Sequence, residues 1–159
     1  MKFDGIYEKT LVLIKPDGLQ RGLVGEVIAR FERKGLKLVA LKMTTPGSDL
    51  WKEHYGHIAD KPFYPGYEAF MMSSPVTAMV WEGKNVVNAV IELSGATDAG
   101  KAASGTIRGD LGMGMANIVH RSDSVETAKV EVPRFFSDDE VFEYDKTDYE
   151  SVYLEDERE

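Results

Sequence analysis

A chain without a single cysteine must find any nucleophile among histidine, serine, threonine, lysine, tyrosine and the carboxylates. Only three histidines are present, His54, His57 and His120. His120 differs from the others in its surroundings. It closes the short apolar run Ile118-Val119, follows a stretch that holds five glycines between Gly100 and Gly114, and precedes Ser122 and Asp123 where a helix is due to start. Free backbone N–H groups at such a junction welcome an anion, and a neutral imidazole nitrogen is a competent nucleophile near pH 7. Position alone leaves a second reading open, a ring packed at a strand end with one nitrogen bonded to a carbonyl. His54 and His57 lie three apart on a candidate helix, a spacing that permits metal binding. No third ligand is evident for them, and a pair of surface histidines is the preferred reading.

Groups able to hold phosphate are Lys15, which leaves the first apolar run at a Pro-Asp-Gly turn, and Thr106, Arg108 and the Gly109 amide in the glycine-rich stretch. The Gly-x-x-x-x-Gly-Lys-Ser/Thr pattern is missing, and no Gly-x-Gly-x-x-Gly opens a helix after a strand. A P-loop kinase or a Rossmann enzyme is therefore not expected. The cysteine-free composition removes thiol nucleophiles and iron–sulfur sites as well.

These residues need elements to position them. Lys9 to Ile14 reads as a strand, with β-branched Thr10, Val12 and Ile14 ahead of Pro16. Val24, Val27, Ile28 and Phe31 give the helical i, i+3, i+4, i+7 pattern between Gly22 and Lys34, with Gly35 at the C-cap position. Leu36 to Met43 is a second strand. From Ser48 to Met72 the pattern is less regular and reads as an inserted helical hairpin: Ser48 caps a short helix through Tyr55, then Pro62, Pro65 and Gly66 break the chain before another short helix. Pro75 to Trp81 is a third strand, and Val86, Val87, Val90, Ile91 and Leu93 mark a helix that Gly95 ends. Ala96 to Ala116 shows no periodicity, and a loop that long in a compact domain is usually functional. Asn117 to His120 is a strand end, Asp123 with Glu126 an N-cap pair for a helix stopped at Pro133, and Ser137 with Glu140 a capping box. The order predicts an α+β fold: a ferredoxin-like split βαβ, an antiparallel sheet with helices on one face, carrying the inserted hairpin and the long loop.

The 159 residues suit one domain that needs no disulfide or metal for stability. Apolar runs fall far short of the ~20 residues of a membrane span, and the charged first nine residues do not resemble a secretory signal, so a cytoplasmic setting is expected. A net charge of -8 argues against polyanionic ligands until it is located. Ser137 to Glu159 carries 11 acids against Lys146 and Arg158, whereas the first 136 residues hold 17 bases against 16 acids. The body is near neutral, and the negative charge is concentrated from Ser137 onward, into an acidic tail of about residues 143–159.

Seven segments bring a family into view. Ile14-Lys15-Pro16-Asp17-Gly18, Gln20-Arg21-Gly22-Leu23-Val24-Gly25, Glu53-His54-Tyr55, Lys61-Pro62-Phe63, Val80-Trp81-Glu82-Gly83, Gly105-Thr106-Ile107-Arg108-Gly109-Asp110 and Asn117-Ile118-Val119-His120-Arg121-Ser122-Asp123-Ser124 stand in that order. Together they resemble the nucleoside diphosphate kinase family from about Lys9 to Phe142.

The resemblance implies transfer of the γ-phosphoryl group of a nucleoside triphosphate to a nucleoside diphosphate, by a ping-pong route through a phosphohistidine on His120. It implies that Glu131 bonds the imidazole and Ser122 stands near it, with Lys15, Tyr55, Thr97 and Arg108 around the phosphates and the 3′-hydroxyl. Lys15 and Asn117 would meet the ribose, Phe63 would stack on the base, and Tyr67 stands where an aliphatic base contact is usual. Mg2+ would arrive with the nucleotide and have no direct protein ligand. A homohexamer is expected, because the tail exceeds that of short tetrameric members; neither membrane nor nucleic-acid partners are.

The sequence also departs from the family pattern. Ile91 stands where a phosphate-contacting arginine is usual, Arg121 where Gly or Ala is usual, and Ala99 and Ser104 replace two loop prolines; the loop from Asp110 to Asn117 is one residue short. Arg121 is the residue on hand to replace the charge lost at Ile91, although a strand neighbour of His120 is expected on the opposite face. Ile91 and Arg121 favour an alternative, a nucleotide-binding regulatory relative with weakened or lost transfer. A nucleic-acid-binding oligomer would need a basic stripe, which is missing.

Overall fold

The computed structural model describes residues 7–158. The charged N-terminal stretch read above lies mostly outside them. Four strands form one antiparallel sheet: β1 (Glu8–Ile14), β2 (Lys37–Thr44), β3 (Val76–Gly83) and β4 (Val119–Arg121), in the order β2-β3-β1-β4. Among the described residues, eight α-helices accompany them: α1 (Pro16–Gln20), α2 (Val24–Arg33), α3 (Ser48–His54), α4 (Tyr64–Met71), α5 (Val86–Ser94), α6 (Ile107–Leu111), α7 (Val125–Phe135) and α8 (Tyr149–Val152). This is the split βαβ arrangement, with β1 paired to both β3 and β4.

Central β1 is buried on both faces, which is why its second half, Leu11 to Ile14, is an unbroken apolar run. Its Val12 and Ile14 pack with Val27 and Phe31 of α2, Val90 of α5 and Ile107 of α6. Leu11 and Leu13 pack on the other side with Trp51 of α3, Tyr64 of α4 and Val132 and Phe135 of α7. The two crossover helices thus share one face as expected, and the inserted hairpin and α7 cover the opposite face too.

Several local expectations are revised. Gly47, not Ser48, is the α3 N-cap; the Ser48 hydroxyl instead donates to Glu68 Oε1 at 2.7 Å and ties α3 to α4. Pro65 sits in the first turn of α4, behind Tyr64, rather than breaking the chain, since the N–H groups of a helix's first turn have no partner within the helix. Ser124 caps α7, accepting from the Thr127 amide at 3.0 Å. Pro133 lies inside that helix, which persists because Val132, Phe135 and Phe136 are buried and the Phe136 amide still donates to Val132 O at 3.0 Å. The segment between Ala96 and Ala116 contains a 3-10 turn, Ala99–Lys101, and α6.

The acidic tail folds back on its own chain. The Phe142 amide donates to Val39 O at 2.8 Å beside the β2 bulge, and the Tyr144 hydroxyl donates to Leu38 O at 2.8 Å. Tyr149 stacks on Tyr7 at 5.8 Å, and the Lys84 amide donates to the Tyr153 hydroxyl at 3.3 Å. Among the described residues, no helix is long and apolar enough to cross a membrane.

Candidate functional site

The site is built where β1 ends and β4 begins. The Lys15 amide donates to Ile118 O at 2.8 Å, and the Ile118 amide to Asp17 Oδ2 at 3.0 Å. Ile118 has φ 73°, a left-handed conformation that a β-branched residue adopts only when its surroundings impose it. The bend leads the chain directly into the three residues of β4. His120 lies opposite Leu13 and faces the α3 and α7 side, while Arg121 lies opposite Val12.

His120 Nε2 is 3.1 Å from Glu131 Oε2, and the Ser122 hydroxyl donates to that same oxygen at 2.7 Å. A carboxylate only accepts, so Nε2 carries the ring proton and Nδ1 keeps a free lone pair. Burial alone would raise the Glu131 pKa; the bonds from His120 and Ser122 outweigh it and hold the carboxyl at about 2. Beside this pair lies His54, whose ring centroid is 4.4 Å from that of His120 at 74°. Burial, reinforced by His120, lowers the His54 pKa to about 3, so its ring is neutral.

Cations line the other wall of a cleft of about 680 Å³, a volume ordinary for a small-molecule site. Lys15 Nζ donates to Asn117 Oδ1 at 2.8 Å, and Asn117 Nδ2 in turn donates to Thr97 O at 2.6 Å. Burial and then Arg108 push Lys15 down to about 8. Arg108 spends three N–H groups on the carbonyls of Asn117, Gly95 and Val119. The rest of its five donors remain for a ligand. Its pKa falls to about 10 through burial and then Arg121, so it stays charged at neutral pH.

Arg121 does lie on the opposite face of β4 from His120, yet it lines the same cleft, because β4 is an edge strand and α5 packs against it. Its side chain is only 13% exposed, pairs with Asp123, and keeps a buried Nε without a hydrogen-bond partner.

Of the residues expected from sequence, Lys15, Tyr55, Tyr67, Thr97, Arg108, Asn117, His120 and Glu131 line this cleft. Ser122 is buried behind Glu131, and Phe63, 59% exposed, stands one turn before Tyr67 at the start of α4. Tyr55 and Tyr67 meet edge-on with centroids 4.9 Å apart. Sequence reasoning missed His54 as a neighbour of His120, and the Arg134–Glu53 pair at 2.8 Å on the rim. The segment Glu53-His54-Tyr55 was the available signal.

A nucleoside diphosphate kinase family model matches residues 8–141. The chain belongs to that family. It is 52% identical over 141 residues to a nucleoside diphosphate kinase of a Synechocystis strain, covering 88% of this chain and 95% of the relative. It is 50% identical over 149 residues to one from Archaeoglobus fulgidus, covering 93% and 99%. The fold matches a halophilic nucleoside diphosphate kinase from Halobacterium salinarum in complex with CDP, with TM-score 0.89, 46% identity and coverage of 92% and 98%. It also matches a transition state mimic of the Borrelia burgdorferi enzyme with bound vanadate and ADP, with TM-score 0.85, 36% identity and coverage of 91% and 95%. As a nucleoside diphosphate kinase the protein is a phosphotransferase.

Proposed function

We propose that the γ-phosphoryl group passes from a nucleoside triphosphate to a nucleoside diphosphate through a phosphohistidine on Nδ1 of His120. The carrying observation is the 3.1 Å contact between His120 Nε2 and Glu131, which leaves Nδ1 as the unprotonated nitrogen in a cleft lined by Lys15, Arg108 and Arg121. The Nδ1 lone pair forms the N–P bond as the bond from γ-phosphorus to the bridging oxygen breaks, and the diphosphate leaves with that electron pair. In the return step a terminal oxygen of the acceptor diphosphate takes the phosphoryl group and His120 is restored. Glu131 holds the ring in one tautomer and stabilises positive charge on it as the N–P bond forms, while Ser122 holds Glu131. Phosphoryl transfer depends chiefly on positioning and charge neutralisation, which assigns Lys15, Arg108, Tyr55 and Thr97 to the phosphates and 3′-hydroxyl, with Lys15 and Asn117 at the ribose. Phe63 and Tyr67 offer ring faces to the base. Stacking of this kind tolerates any base.

Mg2+ enters on the nucleotide as part of the substrate and neutralises phosphate charge there. The residues beside His120 fit that division for Mg2+, which prefers an all-oxygen shell: Glu131 stands between two imidazoles and is held by His120 and Ser122, and Asp123 is paired with Arg121. The intact link from His120 through Glu131 to Ser122 favours transfer over a relative that only binds nucleotide. Incubation with γ-labelled ATP should yield an acid-labile, alkali-stable phosphoprotein that GDP discharges. His120→Ala should abolish the label, and a label that persists in this variant would overturn the assignment.

The same reading includes a cytoplasmic homohexamer. Its support is apolar surface: Leu41 and Met43 are exposed on edge strand β2, and Met113 is 92% exposed in the glycine-rich segment. A monomer in sedimentation equilibrium would reject the assembly.

A further inference from the structure

Both ring nitrogens of His54 are buried without a hydrogen-bond partner, and the side chain has no exposed surface. A neutral imidazole with two unsatisfied nitrogens is costly in a core. Its Nδ1 lies 3.9 Å from Glu131 Oε1, and the other oxygen of that carboxylate lies 3.1 Å from His120 Nε2. One donor atom from each of the three residues lies within 4.8 Å of the other two. Zinc binds imidazole nitrogen at about 2.0–2.1 Å and carboxylate oxygen at about 2.0–2.2 Å, so tetrahedral neighbours sit ~3.4 Å apart. The separations of 3.1 and 3.9 Å, taken to the two oxygens of the one carboxylate, fall on either side of that value, and the donor atoms, at most 4.8 Å apart, need only close by a side-chain adjustment to hold an ion. Two imidazoles and one carboxylate suit zinc rather than magnesium, which prefers an all-oxygen shell. All three residues border the cleft, and His120, whose side chain is 16% exposed, is the side from which an ion would enter and take a fourth ligand, His54 lying covered behind it.

We propose that His54, His120 and Glu131 form a binding site for a zinc-class divalent ion, and that its occupancy turns phosphoryl transfer off. The metal takes the Nε2 lone pair of His120, so the single ring proton moves from Nε2 to Nδ1. No proton is gained or lost overall, but Nδ1 becomes an N–H group and ceases to be a nucleophile. Glu131, bonded to the ion, no longer orients the ring. The binding half of this inference stands on geometry alone, and the inhibition half rests on the reading of His120 as nucleophile.

The experiment uses the full chain with magnesium in excess, which occupies the oxygen ligands of the acidic tail. Equilibrium dialysis against Zn2+ should give one ion per chain, and Co2+ should show the visible bands of a tetrahedral nitrogen and oxygen site. His54→Phe and His54→Gln, each checked for folding by circular dichroism, should weaken binding at least tenfold, whereas His57→Ala should not. The zinc concentration for half-inhibition, taken against each variant's own zinc-free rate, should shift by the same factor. Absence of binding, or His54 variants that bind like the parent, overturns the site. Zinc bound through His54 with transfer undiminished overturns the switch. If His120 fails to carry labelled phosphate while zinc still binds, the catalytic reading falls and the metal site survives.

Discussion

At the scale of single residues, the cleft depends on charges held where water would otherwise screen them. Lys15 sets a pH limit: burial, then Arg108, lowers its pKa to about 8, so its positive charge is present below that pH and lost above it. The kcat/KM for nucleotide should therefore fall as pH rises through about 8, and Lys15→Arg should push this limb to higher pH; an unchanged limb in the variant would assign it elsewhere. Arg121 carries the second prediction. Its pair with Asp123 is weak, because Asp123 is 78% exposed, so a phosphate oxygen can displace the carboxylate. A charge-assisted hydrogen bond is worth about 1.5–3 kcal/mol. Arg121→Gly should then weaken nucleotide binding about 10- to 100-fold by calorimetry, and parental affinity would sink the idea that it replaces the charge missing at Ile91. His120 and Arg108 were legible from their motifs, but the approach of Arg121 to the cleft was not. Strand alternation alone places it on the far face, and only the edge position of β4 lets a long side chain reach around.

At the scale of elements, α6 and the bend at Ile118 do the positioning. The Thr106 hydroxyl caps α6 by accepting from the Gly109 amide at 2.9 Å, and Asp110 ties the segment to Arg30 of α2 at 2.7 Å. A Cβ at Gly109 would run into the Ala103 carbonyl oxygen, so this glycine serves close approach rather than an unusual φ. Gly109→Ala should cost about 1–3 kcal/mol, as overpacking does, and raise KM by displacing Arg108; a parental melting temperature and KM would contradict this. The regular elements were legible because periodicity and glycine stops agreed: Gly35 and Gly95 both follow helix ends with positive φ. Where they disagreed, packing decided. Pro133 reads as a stop, but burial of Val132 and Phe135 on either side keeps α7 intact. Asp123 reads as the cap, but it pairs with Arg121 and leaves Ser124 to cap the helix.

At the scale of the whole molecule, the sheet separates two chemistries along its length. At one end lie Lys15 and His120; at the other, Glu82 bridges Lys9 and Lys37 at 2.7 and 3.0 Å beneath the tail's tyrosines. Removing residues 146–159 should lower the melting temperature, because Tyr149 and Tyr153 pack there, and leave kcat unchanged; a kcat loss without a stability loss would mean that the tail serves the cleft. From Glu8 to Ile14, β1 spans roughly 20 Å at ~3.4 Å per residue. Charges are screened over ~8 Å at physiological ionic strength. An acidic tail pinned by its own aromatic rings at the far end is therefore electrostatically silent at the nucleotide's entrance in ordinary salt. In dilute buffer, where screening extends to ~30 Å, the same carboxylates would slow an approaching polyanion, and the full and truncated chains would differ in association rate only there.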